Sequence, residues 1–182
     1  MQERPRMSND FEISSQSAAA IASDRDAQGP ALPSALCRVI VNADDWGASV
    51  PATDRILGCI RGTVVSSTSA MVFMADSQRA ASLALDNAID AGLHLNLTQR
   101  FSQPDAPSSL RTHQDRVASY LRAGRLSFLL FNPLLASSFE YVVKAQIEEF
   151  ERLYGIAPQR IDGHHHAHLC ANVQGQKLLP EG

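Results

Sequence analysis

Cysteine is scarce in this chain and badly spaced for structural chemistry. The 182 residues include three, Cys37, Cys59 and Cys170. The number is odd and no CxxC pair occurs, which argues against a disulfide framework and against a thiolate zinc site. Lone cysteines of this kind ordinarily serve as small core residues in a reducing compartment. Charge of one sign is lacking too. A formal net charge of −3 gives no electrostatic reason to expect nucleic acid or an anionic membrane surface as partner. No apolar run approaches the ~20 residues that span a bilayer. Ala18 to Ala22 is too short and weak for the apolar segment of a signal peptide, and no internal repeat is present. A cytoplasmic protein without membrane contact is therefore expected. What remains is an ordinary globular composition, 45% hydrophobic and 19% charged, on a chain long enough for one domain with its own core.

Residues 1–36 read as a disordered leader. The stretch "SSQSAAAIASDRDAQGPALPSA" is rich in Ser, Ala, Asp and Pro and has neither strand nor helix periodicity. The domain is expected over residues 37–182. "CRVIVNA" is a short β-branched apolar run of the kind buried on both faces in a parallel sheet; it stops at Asp44-Asp45, with Trp46-Gly47 as a turn. "PATDRILGCIRG" reads as a helix, "TVVSSTSAMVF" as a second strand, and Asp76 as the cap of a helix reaching about Asn87. "AIDAGLHLNL" is a third strand, Leu93, Leu95 and Leu97 alternating with His94 and Asn96. Residues 99–115 read as a long loop, with His113 in it and given no role, and a helix is expected around 115–123. From about Ser138 to Tyr154 the pattern is clearly helical. Ser137 and Glu140 have capping-box spacing, and Phe139, Val143, Ile147, Phe150 and Tyr154 make one apolar face. "PQRID" is a fourth strand. Alternating strands and helices predict an α/β fold with a parallel sheet or barrel, whose working residues gather at the carboxyl ends of the strands.

Two stretches carry chemistry. "VNADDWG" ends an apolar run with two adjacent carboxylates. Such a pair ordinarily caps a helix or turn, but the next helix begins several residues later. Side by side, one carboxylate can bind a divalent cation while the other stays free as a base. "RIDGHHHAHL" packs four of the six histidines into five positions. On a strand His164, His166 and His168 share a face; on a helix His164 and His168 do. Neutral imidazole is the commonest metal ligand among titrating side chains. His94, alone on its strand, is by itself better explained as a core histidine bonded to a backbone carbonyl; its place on the polar side of the strand and its company make it a ligand candidate. An Asp and two His from separate strands leave open positions for water and substrate, as hydrolytic metal sites require.

"VNADDWG", "GTVVSSTSAMV", "GLHLNLT" and "RIDGHHHAH", in this order, resemble the YdjC-like carbohydrate deacetylase family, which includes the chitooligosaccharide deacetylases. The helix before the last motif, with Gln146 and Phe150, and the Gly155-Ile156-Ala157-Pro158 after it resemble the family as well. The resemblance implies a (β/α)-barrel-like fold, a divalent cation (Mg or Zn), and hydrolytic removal of an acetyl group from an N-acetylated amino sugar or oligosaccharide. It implies Asp45, His94 and His164 as metal ligands and Asp44 as catalytic base. Trp46 stands where the family usually has Phe. Family members continue well past the histidine motif, whereas fourteen residues follow His168 here. An incomplete barrel lacking its C-terminal part is therefore expected, with an uncovered strand edge open to pairing in a homodimer and reduced activity. In the expected chemistry Asp44 takes the proton of the attacking water, and the proton for the leaving amine comes from His166, from His168 or from a residue on the C-terminal part that the family carries past this motif. The alternatives are a metal-dependent phosphoesterase, against which the absence of a basic cluster tells, and a non-catalytic metal- or sugar-binding remnant.

Overall fold

The computed structural model describes residues 39–180; the leader expected over residues 1–36, and Cys37, lie outside them. Four parallel strands form one sheet in the order β1 (Asn42–Trp46), β2 (Ser67–Ala70), β3 (Ala91–Leu95), β4 (Ile161–Gly163). Helices α1 (Val50–Arg61) and α2 (Ser77–Asp86) make the first two crossovers. Three α-helices lie between β3 and β4, α3 (Ser108–Arg122), the short α4 (Leu126–Leu129) and the long α5 (Ala136–Tyr154), with a 3₁₀ turn at Pro133–Leu135 before the last. A six-residue histidine-bearing 3₁₀ segment, His164–Leu169, and α6 (Ala171–Gly175) follow β4. Strand order equal to chain order is the arrangement of an arc of a (β/α) barrel, so the expected α/β fold and incomplete barrel are what the chain adopts. Among the described residues no helix is long and apolar enough to cross a membrane.

One face of the sheet is apolar and covered. Ala70, Leu93 and Leu95 are fully buried in a core with Phe139, Val142, Val143 and Phe150 of α5, which packs on β3 and against α2 and α3. The other face is polar: Asn42 and Asp44 of β1, Ser67 and Ser69 of β2, His94 of β3 and Asp162 of β4 are bonded to one another across it. The strands are shorter than their apolar runs. Val39 to Val41 remain exposed, so this described part of the expected strand is not buried on both faces. Instead the strand begins at Asn42 and contains the two aspartates.

Other boundaries moved for identifiable reasons. Residues 108–115, expected as loop, form the first half of α3. Pro104 and Pro107 mark a loop only up to the helix start, and the apolar stripe Leu110, Val117, Leu121 is interrupted by a buried glutamine, Gln114. His113 is therefore helical, its Nδ1 2.9 Å from Ser138 Oγ. The Ser137–Glu140 capping box is not used, because α5 begins earlier, after Leu135. Asp76 stands at the N-terminus of α2 but makes no cap bond there; its carboxylate instead pairs with Arg79 through both oxygens. Cys170 is buried as expected, whereas Cys59 is exposed.

Two of the three buried glutamines among the described residues, Gln114 and Gln146, serve β3. Gln146 of α5 is fully buried; its Oε1 accepts the Asn96 N–H at 2.8 Å and its Nε2 donates to the Asn96 carbonyl at 3.0 Å. Gln114 Nε2 donates to the Asn96 and Gln99 carbonyls at 3.0 and 2.8 Å. The peptide groups just past β3 have no further strand to pair with, and these amides satisfy them inside the core. Replacing Gln146 by Leu should therefore lower stability by about 1–3 kcal/mol, the cost of leaving buried peptide groups unpaired. Urea unfolding followed by circular dichroism measures it; an unchanged midpoint would show that the clamp adds nothing.

Candidate metal centre

β1 brings both aspartates to one pocket by breaking its own alternation. In a regular strand neighbouring side chains point to opposite faces. Here Ala43 pairs with Thr68 and Trp46 with Ala70, so β1 holds one residue more than β2 between those pairs. Such a bulge re-aims side chains. Asp45 takes up the difference in a left-handed conformation, φ 67°, which an aspartate tolerates better than most residues. Beyond it, Trp46 is fully buried and donates Nε1–H to the Ala80 carbonyl at 3.1 Å, anchoring the strand end. Gly47, at φ 85°, passes so close to Met71 O and Ser77 Cα that a side chain there would crowd both.

Asp45, His94 and His164 converge as expected. One ligand atom from each lies within 4.8 Å of the others. Asp45 Oδ1 is 3.5 Å from His94 Nε2 and 3.2 Å from His164 Nδ1. That same oxygen is shielded from solvent and makes no hydrogen bond. A buried carboxylate oxygen without a donor is costly, and two imidazole nitrogens facing it complete a donor set suited to a divalent cation. These three residues therefore fit a metal. The His164 ring holds the Asp45 carboxyl below its ordinary pKa against the opposing effect of burial.

Asp162 belongs to this centre and has no counterpart in the reading of the sequence, although it stands two residues before His164. It is the parallel-register neighbour of His94, and its Oδ1 lies 2.6 Å from His94 Nδ1. A carboxylate at Nδ1 keeps the proton there and leaves the Nε2 lone pair turned toward Asp45, the usual support of a metal-binding histidine. Burial works most strongly against the His94 imidazolium, yet the Asp162 bond and the charges of Asp162, Asp44 and Asp45 together outweigh it and raise the pKa. Burial likewise works against the Asp162 carboxylate, and its bonds to His94 and Ser69 draw its pKa down. The missed signal was the spacing itself: a carboxylate one strand over from a candidate ligand.

The remaining histidines divide. The segment after β4 is neither strand nor regular helix, because His165 and His166 are left-handed, φ 55° and 57°. His164, His166 and His168 consequently do not share one face. His164, His165 and His166 line a cavity of about 440 Å³ together with Asp44, Asp45, His94, Asp162 and Gly163. His165 places its Nδ1 3.0 Å from Thr98 Oγ1. His168 is not on the cavity wall and packs behind Gly163. Asp44 is exposed on that wall, and its Oδ1 accepts a bond from Asn42 Nδ2 at 2.8 Å.

The chain is also similar to known proteins. A family model described as "YdjC-like protein" matches residues 38–175. The chain is similar to a chitooligosaccharide deacetylase of Yersinia pestis (strain Pestoides F), 33% identical over 139 residues that cover 74% of this chain and 52% of the relative. It is 32% identical over 155 residues to a chitooligosaccharide deacetylase of Proteus mirabilis (strain HI4320), covering 78% of this chain and 57% of that protein. The chain thus spans about half the length of the curated relatives it matches. Among solved structures it resembles one from Enterococcus faecalis V583, provisionally assigned to cellobiose-phosphate cleavage. The TM-score is 0.55 at 24% identity, covering 75% of this chain and 52% of the other, a likeness of fold.

Gly163 is where β4 hands over to the histidines, and a Cβ there would stand 2.6 Å from His168 Nδ1 and 2.9 Å from its backbone nitrogen. Gly163→Ala should destabilise the protein by about 1–3 kcal/mol through overpacking, read as a lowered thermal midpoint. A variant as stable as the parent would show that His168 can move aside freely.

Proposed function

The chain belongs to the YdjC-like protein family, and from that premise we propose that it is a metal-dependent carbohydrate deacetylase, hydrolysing the acetamide of an N-acetylated amino sugar or oligosaccharide. The observation that carries this reading is the convergence of Asp45, His94 and His164 on a carboxylate oxygen without a hydrogen-bond donor, with Asp44 free beside it. Asp45, His94 and His164 hold the cation, zinc or magnesium. A bound divalent cation supplies Lewis acidity, polarising a carbonyl and making water more acidic.

The chain's own residues do the rest. Asp44, held by Asn42 at one oxygen, keeps the other for the proton of the attacking water. Asp162 holds the His94 proton on Nδ1. Of the two histidines considered for protonating the leaving amine, His166 lines the cavity and His168 does not, which favours His166. The cavity's charge also selects. Asp44, Asp45 and Asp162 line it, and among the described residues no Lys or Arg does. A phosphate ester would meet three carboxylates, whereas a neutral acetamide meets no such repulsion. This weighs against the phosphoesterase alternative.

Acetate release from N-acetylglucosamine oligomers tests the activity; absence of release from a metal-loaded, folded protein would refute it. The two aspartates give a sharper test. Asp44→Asn should retain metal, measured by elemental analysis, while acetate release falls by about 10²–10⁴-fold. Asp45→Asn should lose metal. Equal metal loss in both variants would mean that the carboxylates have been assigned wrongly.

A further inference from the structure

Beneath the cavity, the polar face of the sheet carries one continuous hydrogen-bonded chain that crosses all four strands, and its direction is fixed by its ends. At the foot, Arg160 is held by Asp90 through two bonds of 2.9 and 3.0 Å and donates Nη2–H to Ser67 Oγ. Ser67 donates to Asn42 Oδ1 at 3.0 Å, Asn42 Nδ2 donates to Ser69 Oγ at 2.8 Å, and Ser69 donates to Asp162 Oδ2 at 2.5 Å. Asp162 Oδ1 then accepts a hydrogen bond from His94 Nδ1–H. Guanidinium can only donate and carboxylate can only accept, so both serine hydroxyls must point the same way along the chain.

Asn42 is the branch point. Its carbonyl oxygen faces Ser67, and its amide nitrogen reaches both Ser69 and Asp44. The opposite orientation of the amide would set its oxygen against the Asp44 carboxylate and strand Ser69 without a donor. One side chain thus bonds the carboxylate proposed as base and, through Ser69, the carboxylate that orients a metal ligand. Ser67 and Ser69 are buried, at 1% and 3% exposure, so their hydroxyls have few alternatives to this chain. Asn42 itself is exposed, which makes it replaceable without disturbing the core.

We propose that Asn42 and Ser69 are positioning residues of this centre: Asn42 fixes the orientation of Asp44, and the Asn42–Ser69 pair fixes Asp162 so that His94 keeps its proton on Nδ1 and turns Nε2 to the metal. The inference rests on the metal site proposed above. Neither residue touches the metal or a substrate; both act through the carboxylates they hold. Chains of this kind strengthen along their length because each donated bond polarises the next.

The test uses the full chain with Zn²⁺ alone as probe, and two readings. Zn²⁺ affinity is measured by competition with a chromophoric chelator. The His94 tautomer is read without metal, from ring ¹⁵N chemical shifts in the neutral imidazole. Ser69→Ala removes the hydroxyl, and Asn42→Asp keeps the shape and the acceptor while abolishing both donated bonds. Each should weaken Zn²⁺ binding by about 10–100-fold, the range for losing a supporting partner, and should shift His94 from the Nδ1-protonated form to a mixture. Wild-type affinity and tautomer in both variants would overturn the proposal. A parent protein that takes up no Zn²⁺, yet whose His94 tautomer is scrambled by Ser69→Ala and Asn42→Asp, would uphold the positioning chain and refute the metal site instead.

Discussion

Two adjacent carboxylates can face one cavity only where a strand breaks its own alternation, and the centre depends on that constraint. The single extra residue between Ala43 and Trp46, together with the left-handed backbone of Asp45, puts Asp44 and Asp45 on the same wall. Left-handed non-glycine backbone costs of order 1–3 kcal/mol and persists only where its surroundings over-determine it. Here the surroundings are the buried Trp46 on one side and the β1–β2 ladder on the other. A straight strand would keep one aspartate in the cavity and bury the other against the helices.

The centre is otherwise assembled from register. Parallel pairing sets His94 beside Asp162, and two residues further on the chain delivers His164 to the same end of the sheet. The left-handed turn at His165 and His166 then spreads the imidazoles around the cavity instead of stacking them on one face. Three of the seven left-handed non-glycine residues among those described, Asp45, His165 and His166, lie in the cavity wall, where stored backbone strain commonly accompanies function.

Order at the site is maintained from the core outward. Gln146 and Gln114 close the open peptide groups past β3, so the strand carrying His94 is held by the same helices that bury Leu93 and Leu95. These amides occupy core positions that an apolar pattern would assign to leucine. Gln146 satisfies both ends of its amide on the Asn96 peptide, and Gln114 donates twice to backbone while its Oε1 has no partner; these backbone bonds offset most of the cost of placing amides in the stripes of α3 and α5.

Much of the protein was legible in its amino-acid order. β-branched runs alternating with helical stripes determine a parallel α/β sheet, because each pattern has only one way to bury its apolar side. The clustering of Asp44-Asp45, His94 and the 164–168 histidines at expected strand ends determines which residues can meet. Tertiary structure alone decided how they meet. Period-2 reasoning carries no signal for an inserted residue, so the bulge that turns Asp44 and Asp45 together was invisible. Asp162 lacked a role until β4 lay beside β3, since its partner His94 is 68 residues away. The start of α3 was hidden because Gln114 reads as surface until the unpaired peptide of Asn96 is seen beneath it. Local sequence specifies which side chains are available and which face they prefer; the hydrogen-bond partners that orient them lie on other strands, and only the packed sheet brings those within reach.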